Sequence, residues 1–193
     1  MRRVRLSCFL PLLCLAVAPA LRADITVTFE SLAEGETLAN QFAPLGVVVS
    51  GSPMVFTAGS WLNEFDFPPH SGVNVLVDVG GPMLFAFSPA VSSVSGYFTY
   101  TTLLTLGVYA SDGTLLAAAQ SAGGANLGSS ERIGFNWPAG HIGFLSIAGD
   151  PAGSSFILDD LTFGQAAQVP EPSSVLLIVP IAVFLFHGLR KRQ

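Results

Sequence analysis

Between Asp24 and Gln165 the chain has no cysteine, no lysine and a single arginine, Arg132. The two cysteines, Cys8 and Cys14, both lie in an N-terminal apolar segment. Without thiols the central stretch has no disulfide framework, no cysteine metal site and no cysteine nucleophile. Against its one base stand twelve carboxylates, a formal charge of −11 within a chain whose total is −5. So acidic a surface repels nucleic-acid phosphates and anionic lipid headgroups, attracts divalent cations and keeps itself soluble by self-repulsion. Nucleic acid is excluded as a partner on that ground. Internal repeats, a long amphipathic helix and a Gly-x-Ser-x-Gly turn are also missing. So is any His, Glu or Cys constellation at catalytic metal spacing, and no catalytic residue is expected.

The N-terminus carries an address. Arg2, Arg3 and Arg5 precede an apolar core from Leu6 to Val17, and small residues follow at Ala18, Ala20 and Ala23. Charged, hydrophobic and cleavable parts in that order read as a secretory signal peptide over residues 1–23. The apolar run is short for a membrane anchor.

From Asp24 onward the pattern is alternation. Ile25, Val27 and Phe29 share one parity while Thr26 and Thr28 share the other, as in a strand with one buried face. Similar runs recur at Gly46 to Ser50, Val73 to Val79, Met83 to Phe87, Ser93 to Thr99, Leu104 to Ala110, Thr114 to Ala119, Arg132 to Trp137, Ile142 to Ile147 and Phe156 to Phe163. Asp112 and Gly113 suit a tight two-residue hairpin, where both central residues take positive φ. Short strands at close spacing predict an all-β domain, an antiparallel β-sandwich, over residues 24–164. Ser31 to Phe42 has enough helical character for one turn. Ser60 to Gly72 is a long aromatic and acidic loop, and Ala118 to Ser130, rich in Gly, Ala and Ser, reads as a flexible excursion.

Residues 165–168 form a polar tether, after which come Val169, Pro170, Glu171, Pro172 and Ser173, an apolar helix over 174–189, and Arg190, Lys191, Arg192 and Gln193. The apolar length is at the lower limit for a bilayer core of about 30 Å, and the basic cluster stays on the cytoplasmic side. With the signal peptide, this sets the domain outside and the tail inside. The order of parts resembles the PEP-CTERM sorting signal of Gram-negative bacteria. That resemblance implies recognition and cleavage near Pro170, Glu171 and Pro172 by exosortase, after export by the secretion machinery, in cells that make extracellular polysaccharide. It further implies an inner-membrane stage with the domain outside the cytoplasm, then release to the cell surface or matrix. Two prolines would hold the motif extended at the membrane surface, where a transpeptidase can thread it.

Within the domain, adjacent aspartates in a regular strand point to opposite faces, so one of Asp159 and Asp160 is expected to face inward. A buried carboxylate needs a partner, and with Arg132 the only cation a metal ion is one candidate, a set of hydrogen bonds another. Glu30 ends the first strand, which often pairs with the last. Phe29 and Glu30, Gln41 and Phe42, Gly46 to Val49, and Asp159 to Leu161 together resemble jelly-roll modules of the galactose-binding and carbohydrate-binding kind. That resemblance implies a structural calcium held by Glu30, Asp159 and Asp160. The loop with Trp61, Asn63, Glu64, Phe65, Asp66 and His70 has the chemistry of a sugar site, aromatic faces beside carboxylates and an amide, or else is a well-packed edge. Glu64 and Asp66 sit on one loop and set no separation for a glycosidase pair. Tyr97, Tyr100, Tyr109 and Trp137 read as core or strand-surface residues.

These readings converge on a non-enzymatic, exported envelope or matrix protein, structural or carbohydrate-interacting, with exopolysaccharide as a partner. A secreted glycan-active hydrolase and a homotypic adhesin are the alternatives.

Overall fold

Alternation of apolar and polar residues governs the chain from Ile25, and its consequence is a fold of antiparallel strands. The computed structural model describes residues 23–138 and 141–165. Its strands are β1 (Ile25–Val27), β2 (Val47–Ser50), β3 (Met54–Thr57), β4 (Asn74–Val77), β5 (Met83–Tyr100), β6 (Thr105–Tyr109), β7 (Leu115–Gln120), β8 (Glu131–Asn136), β9 (Ile142–Ala148) and β10 (Phe156–Gln165). Among the described residues the helical content is one 3₁₀ turn, Ala43–Leu45. The expected signal peptide, the sorting motif Val169 to Ser173, the apolar helix 174–189 and the basic Arg190, Lys191 and Arg192 lie outside the described residues. Among the described residues no helix is long and apolar enough to cross a membrane.

The strand β5 is the spine. Its first part, Met83 to Phe87, pairs with β2 on one side and β9 on the other, and β9 leads on to β6 and β7. Its second part, Val91 to Tyr100, pairs with β10 and β8. Beyond β10 lie β4 and then β3, while β1 pairs with the end of β10, Ile25 opposite Phe163. The first and last strands therefore do meet. The sequence pattern predicts two strands where β5 is one, because Ser88, Pro89 and Ala90 interrupt the alternation; the ladder to β9 slips there, between Ala86 and Val91, and the chain runs on.

Both sets of strands turn their apolar parity to one core. Val47, Val49, Phe85 and Phe87 come from the first set, and Phe98, Tyr100, Leu158 and Phe163 from the second. The rings of Phe87 and Phe163 lie 5.3 Å apart between them. Each fully buried large apolar side chain contributes about 1.5–3 kcal/mol by leaving water. Alternate residues of β4 serve different clusters: Leu76 joins the main core, whereas Val75 and Val77 join Ile157 and Leu62 in a second, smaller one. That second cluster lies under the loop between β3 and β4, so these strands are covered on both faces. The strand β3 was not expected from the pattern for this reason, since with Val55 buried and Phe56 half-buried it shows no apolar and polar faces.

Two connections differ from expectation. At Asp112 and Gly113 only Gly113 has positive φ, at 86°. The Gly113 N–H donates to Ala110 O, and the Ala110 N–H donates to Thr114 O, so three residues make the turn and the ladder slips beside Tyr109. Asp112 accepts from the Thr114 N–H instead of taking positive φ itself. The stretch 118–130 is not a free excursion either. Its start belongs to β7, and Asn126 then acts as a one-residue strand: its amide oxygen accepts from the Tyr100 N–H at 2.7 Å and its amide nitrogen donates to Phe98 O at 2.9 Å. Gln165, expected to begin the tether, still pairs with Val91 at the end of β10.

Candidate functional site

Twelve carboxylates with one base among them must find other partners, and nine of them accept from backbone N–H groups. Asp159 is the most buried case, 1 % exposed. Its Oδ2 accepts from the His70 and Ser71 N–H groups at 2.7 and 2.9 Å, and its Oδ1 from the Asp160 N–H at 2.7 Å. Asp160 was expected on the opposite face. It instead sits in a β-bulge with φ at 48°, between the pairs Asp159 with Tyr97 and Thr162 with Ser95. The extra residue breaks the period of two, and the Asp160 carboxylate accepts from the Ser71 hydroxyl, so both aspartates serve the same segment. Glu30 follows Phe29, whose φ of 65° turns the chain out of β1, and Glu30 accepts from the Val73 and Asn74 N–H groups. Three carboxylates thus tie residues 70–74 to the first and last strands.

This arrangement does not fit the expected calcium. Glu30 serves residues 73 and 74 while Asp159 serves 70 and 71, and the Asp159 oxygens already accept three hydrogen bonds. Among the described residues no three His, Cys, Asp or Glu side chains gather to hold a metal ion. The N–H groups supply the positive ends that a cation would have supplied. Burial pushes the Asp159 carboxyl up from the usual carboxylate range to about 6, against the pull of the Ser71, Asp160 and His70 N–H groups, and the neighbouring Asp160 charge adds to the rise. Asp78, also buried, is raised by burial and accepts from the Ser155 and Phe156 N–H groups.

Above the second apolar cluster, the loop between β3 and β4 forms a cleft of about 160 Å³ lined by Phe56, Trp61, Asn63, Phe67, Val77 and Ile157, among others. Trp61 is 58 % exposed, yet it is held in place. Its backbone N–H donates to Glu34, its ring meets Phe56 edge to face with centroids 5.7 Å apart, and Gly35, at φ 76°, passes beneath it where a Cβ would stand 3.1 Å from the indole. Of the expected sugar-binding residues the structure brings Trp61 and Asn63 to the cleft. Glu64 is turned to the Gly59 N–H, and Asp66 accepts from the Asn63 amide, so these two brace the loop. His70 stacks on Tyr97, with ring centroids 3.3 Å apart. Phe65, 87 % exposed, is the most exposed apolar side chain described.

A second depression was not anticipated. It measures about 500 Å³ and lies on the outer face of β10, β5 and β8, lined by Asp24, Ser93, Ser95, Arg132, Asn136 and Thr162. The signal was available in the sequence: β5 and β8 both alternate, and their outward parity holds Ser93 and Ser95 opposite Asn136 and Gly134.

No family model matches the chain, and no curated protein matches it. Solved structures of similar outline include the K2 cleaved adhesin domain of Lys-gingipain, 17 % identical over 74 % of this chain and 100 % of that one, with a TM-score of 0.49. A DUF4465 family protein from Bacteroides caccae is 11 % identical over 75 % of this chain and 100 % of its own, TM-score 0.48. The CBM22-1 xylan-binding domain of Paenibacillus barcinonensis Xyn10C is 14 % identical over 75 % of this chain and 95 % of its own, TM-score 0.41.

Proposed function

We propose that this is an exported, non-enzymatic β-sandwich protein of the jelly-roll kind, sorted through its C-terminal motif to the cell envelope or matrix, where its domain binds carbohydrate. The observation that supports carbohydrate is the aromatic cleft: an indole more than half exposed but packed against Phe56 and Gly35, on a backbone that Glu34 holds, beside the Asn63 amide. A pre-oriented aromatic face suits the C–H face of a pyranose, and it loses little conformational freedom on binding. Sorting is supported by the order of Pro170, Glu171 and Pro172, the apolar run and the basic end. In this reading exosortase and the secretion machinery are the processing partners.

Two experiments test the two halves. Mass spectrometry of the protein isolated from its own cells should find residues 1–23 and everything beyond the Pro170 to Pro172 triplet removed; an intact C-terminus contradicts sorting. Incubation of the purified chain with the polysaccharide of the same cells should give co-sedimentation without release of reducing ends, and release would make the protein a hydrolase.

A further inference from the structure

We propose that the outer-face groove around Arg132 is a binding site for a saccharide carrying a carboxylate, a uronate unit within an otherwise neutral sugar chain. The proposal rests on the carbohydrate reading above but concerns a different surface and a charged ligand class.

The groove follows from strand parity. On β5 the residues Ser93 and Ser95 point out while Val94 packs in the core, and on β8 Arg132, Gly134 and Asn136 point out while Ile133 packs in. Thr162 from β10 and Asp24 beside β1 complete the lining. Nearby, the Thr26 and Thr162 hydroxyls lie 2.9 Å apart. Glycine at 134 and 164 keeps the floor low. A Cβ at 134 would stand 2.5 Å from the Ser95 Cβ, and one at 164 would stand 2.5 Å from the Ser93 Oγ. About 500 Å³ lies within the range that small-ligand sites occupy.

Its chemistry is specific. Arg132 is the only base between Asp24 and Gln165, and it lines this depression. Its Nη2 donates to the Ser95 Oγ at 2.8 Å, which orients the guanidinium and leaves further donors of the fork. Asp159, Glu30, Glu34 and Glu131 are engaged elsewhere, on backbone N–H groups, and Asp24 is the one carboxylate that shares the groove lining with Arg132. A planar guanidinium recognises a carboxylate through paired hydrogen bonds. Hydroxyls and the Asn136 amide around it suit sugar hydroxyls. One cation in a domain of charge −11 matches one negative charge and not a polyanion, which the surrounding field would repel beyond the short range of the groove.

The test is calorimetric titration of the purified full chain, at low ionic strength, with cellobiouronate, a glucuronosyl-glucose disaccharide, and with cellobiose, which lacks only its carboxylate. Cellobiouronate should bind more tightly by about tenfold or more, the worth of one charge-assisted hydrogen-bonded contact. R132Q should abolish the preference and R132K should keep part of it. Arg132 is exposed on its strand, and an unchanged melting temperature of R132Q will show that the fold survives. Equal binding of the two disaccharides overturns the proposal while leaving the saccharide reading of the cleft standing. A preference that survives R132Q also overturns it, and so does the absence of binding by either sugar, which in addition counts against the carbohydrate reading itself.

Discussion

Asp159 shows how a buried charge is kept in a domain almost without cations. Three N–H groups converge on its carboxylate, so Asp159→Asn would set an amide donor against donors and should destabilise the fold by about 1–3 kcal/mol, read from urea unfolding. The pH dependence has a definite sign. Its folded pKa of about 6 lies above the ordinary 3.8, so between those values the folded state holds more protons than the unfolded one. The contribution of Asp159 to stability is therefore present at low pH and is lost as pH rises through about 6. Melting temperature should rise from pH 7 to pH 5 in the wild type, and the rise should be smaller in Asp159→Asn; an identical rise would remove Asp159 as its source. Asp78 acts in the same direction. Glu36 and Asp112 act oppositely, their carboxyls lowered chiefly by the N–H groups of Ala33 and Thr114, and they lose stabilising contacts only at more acid pH. From sequence, the need of Asp159 for a partner was legible. The partner was not, because backbone N–H groups are invisible in an inventory of side chains.

At the scale of the element, β5 and its neighbours explain what alternation can and cannot reveal. A strand with one wet face, such as β8, follows from parity alone. Parity failed at β3, covered on both sides, and at Asp160, where a bulge shifts the count by one. It failed again at residues 121–130, where the pairing comes from the Asn126 side chain and not from a run of β-formers. Asn126→Ala should leave the Tyr100 N–H and Phe98 carbonyl unpaired, cost about 1–3 kcal/mol and speed hydrogen exchange at the Tyr100 amide. Unchanged exchange would mean that the loop backbone alone pairs this edge. Because β5 serves both sets of strands, Phe85→Ala should cost about 3–5 kcal/mol and weaken both, in a single unfolding transition seen by every probe.

Over the whole molecule, the acidic charge shapes stability. With −11 between Asp24 and Gln165 and N–H groups in place of ion pairs, added salt screens repulsion and has few attractive pairs to weaken. The melting temperature should rise with sodium chloride, and a fall would point to stabilising ion pairs. On the outer surface, the Trp61 cleft and the Arg132 groove are separate places with separate chemistry, one apolar and one polar. The measurement that bears most directly on carbohydrate binding uses the two tryptophans of the chain. Trp61 is exposed in the cleft and Trp137 is partly buried against the core, so one reports ligand and the other reports folding. Titration with neutral tetrasaccharides of glucose, xylose and mannose should give a saturable change in tryptophan emission for at least one sugar. That change should vanish in Trp61→Phe while the Trp137 emission persists. No response to any of the three, or a response that survives Trp61→Phe, would contradict carbohydrate binding at this cleft.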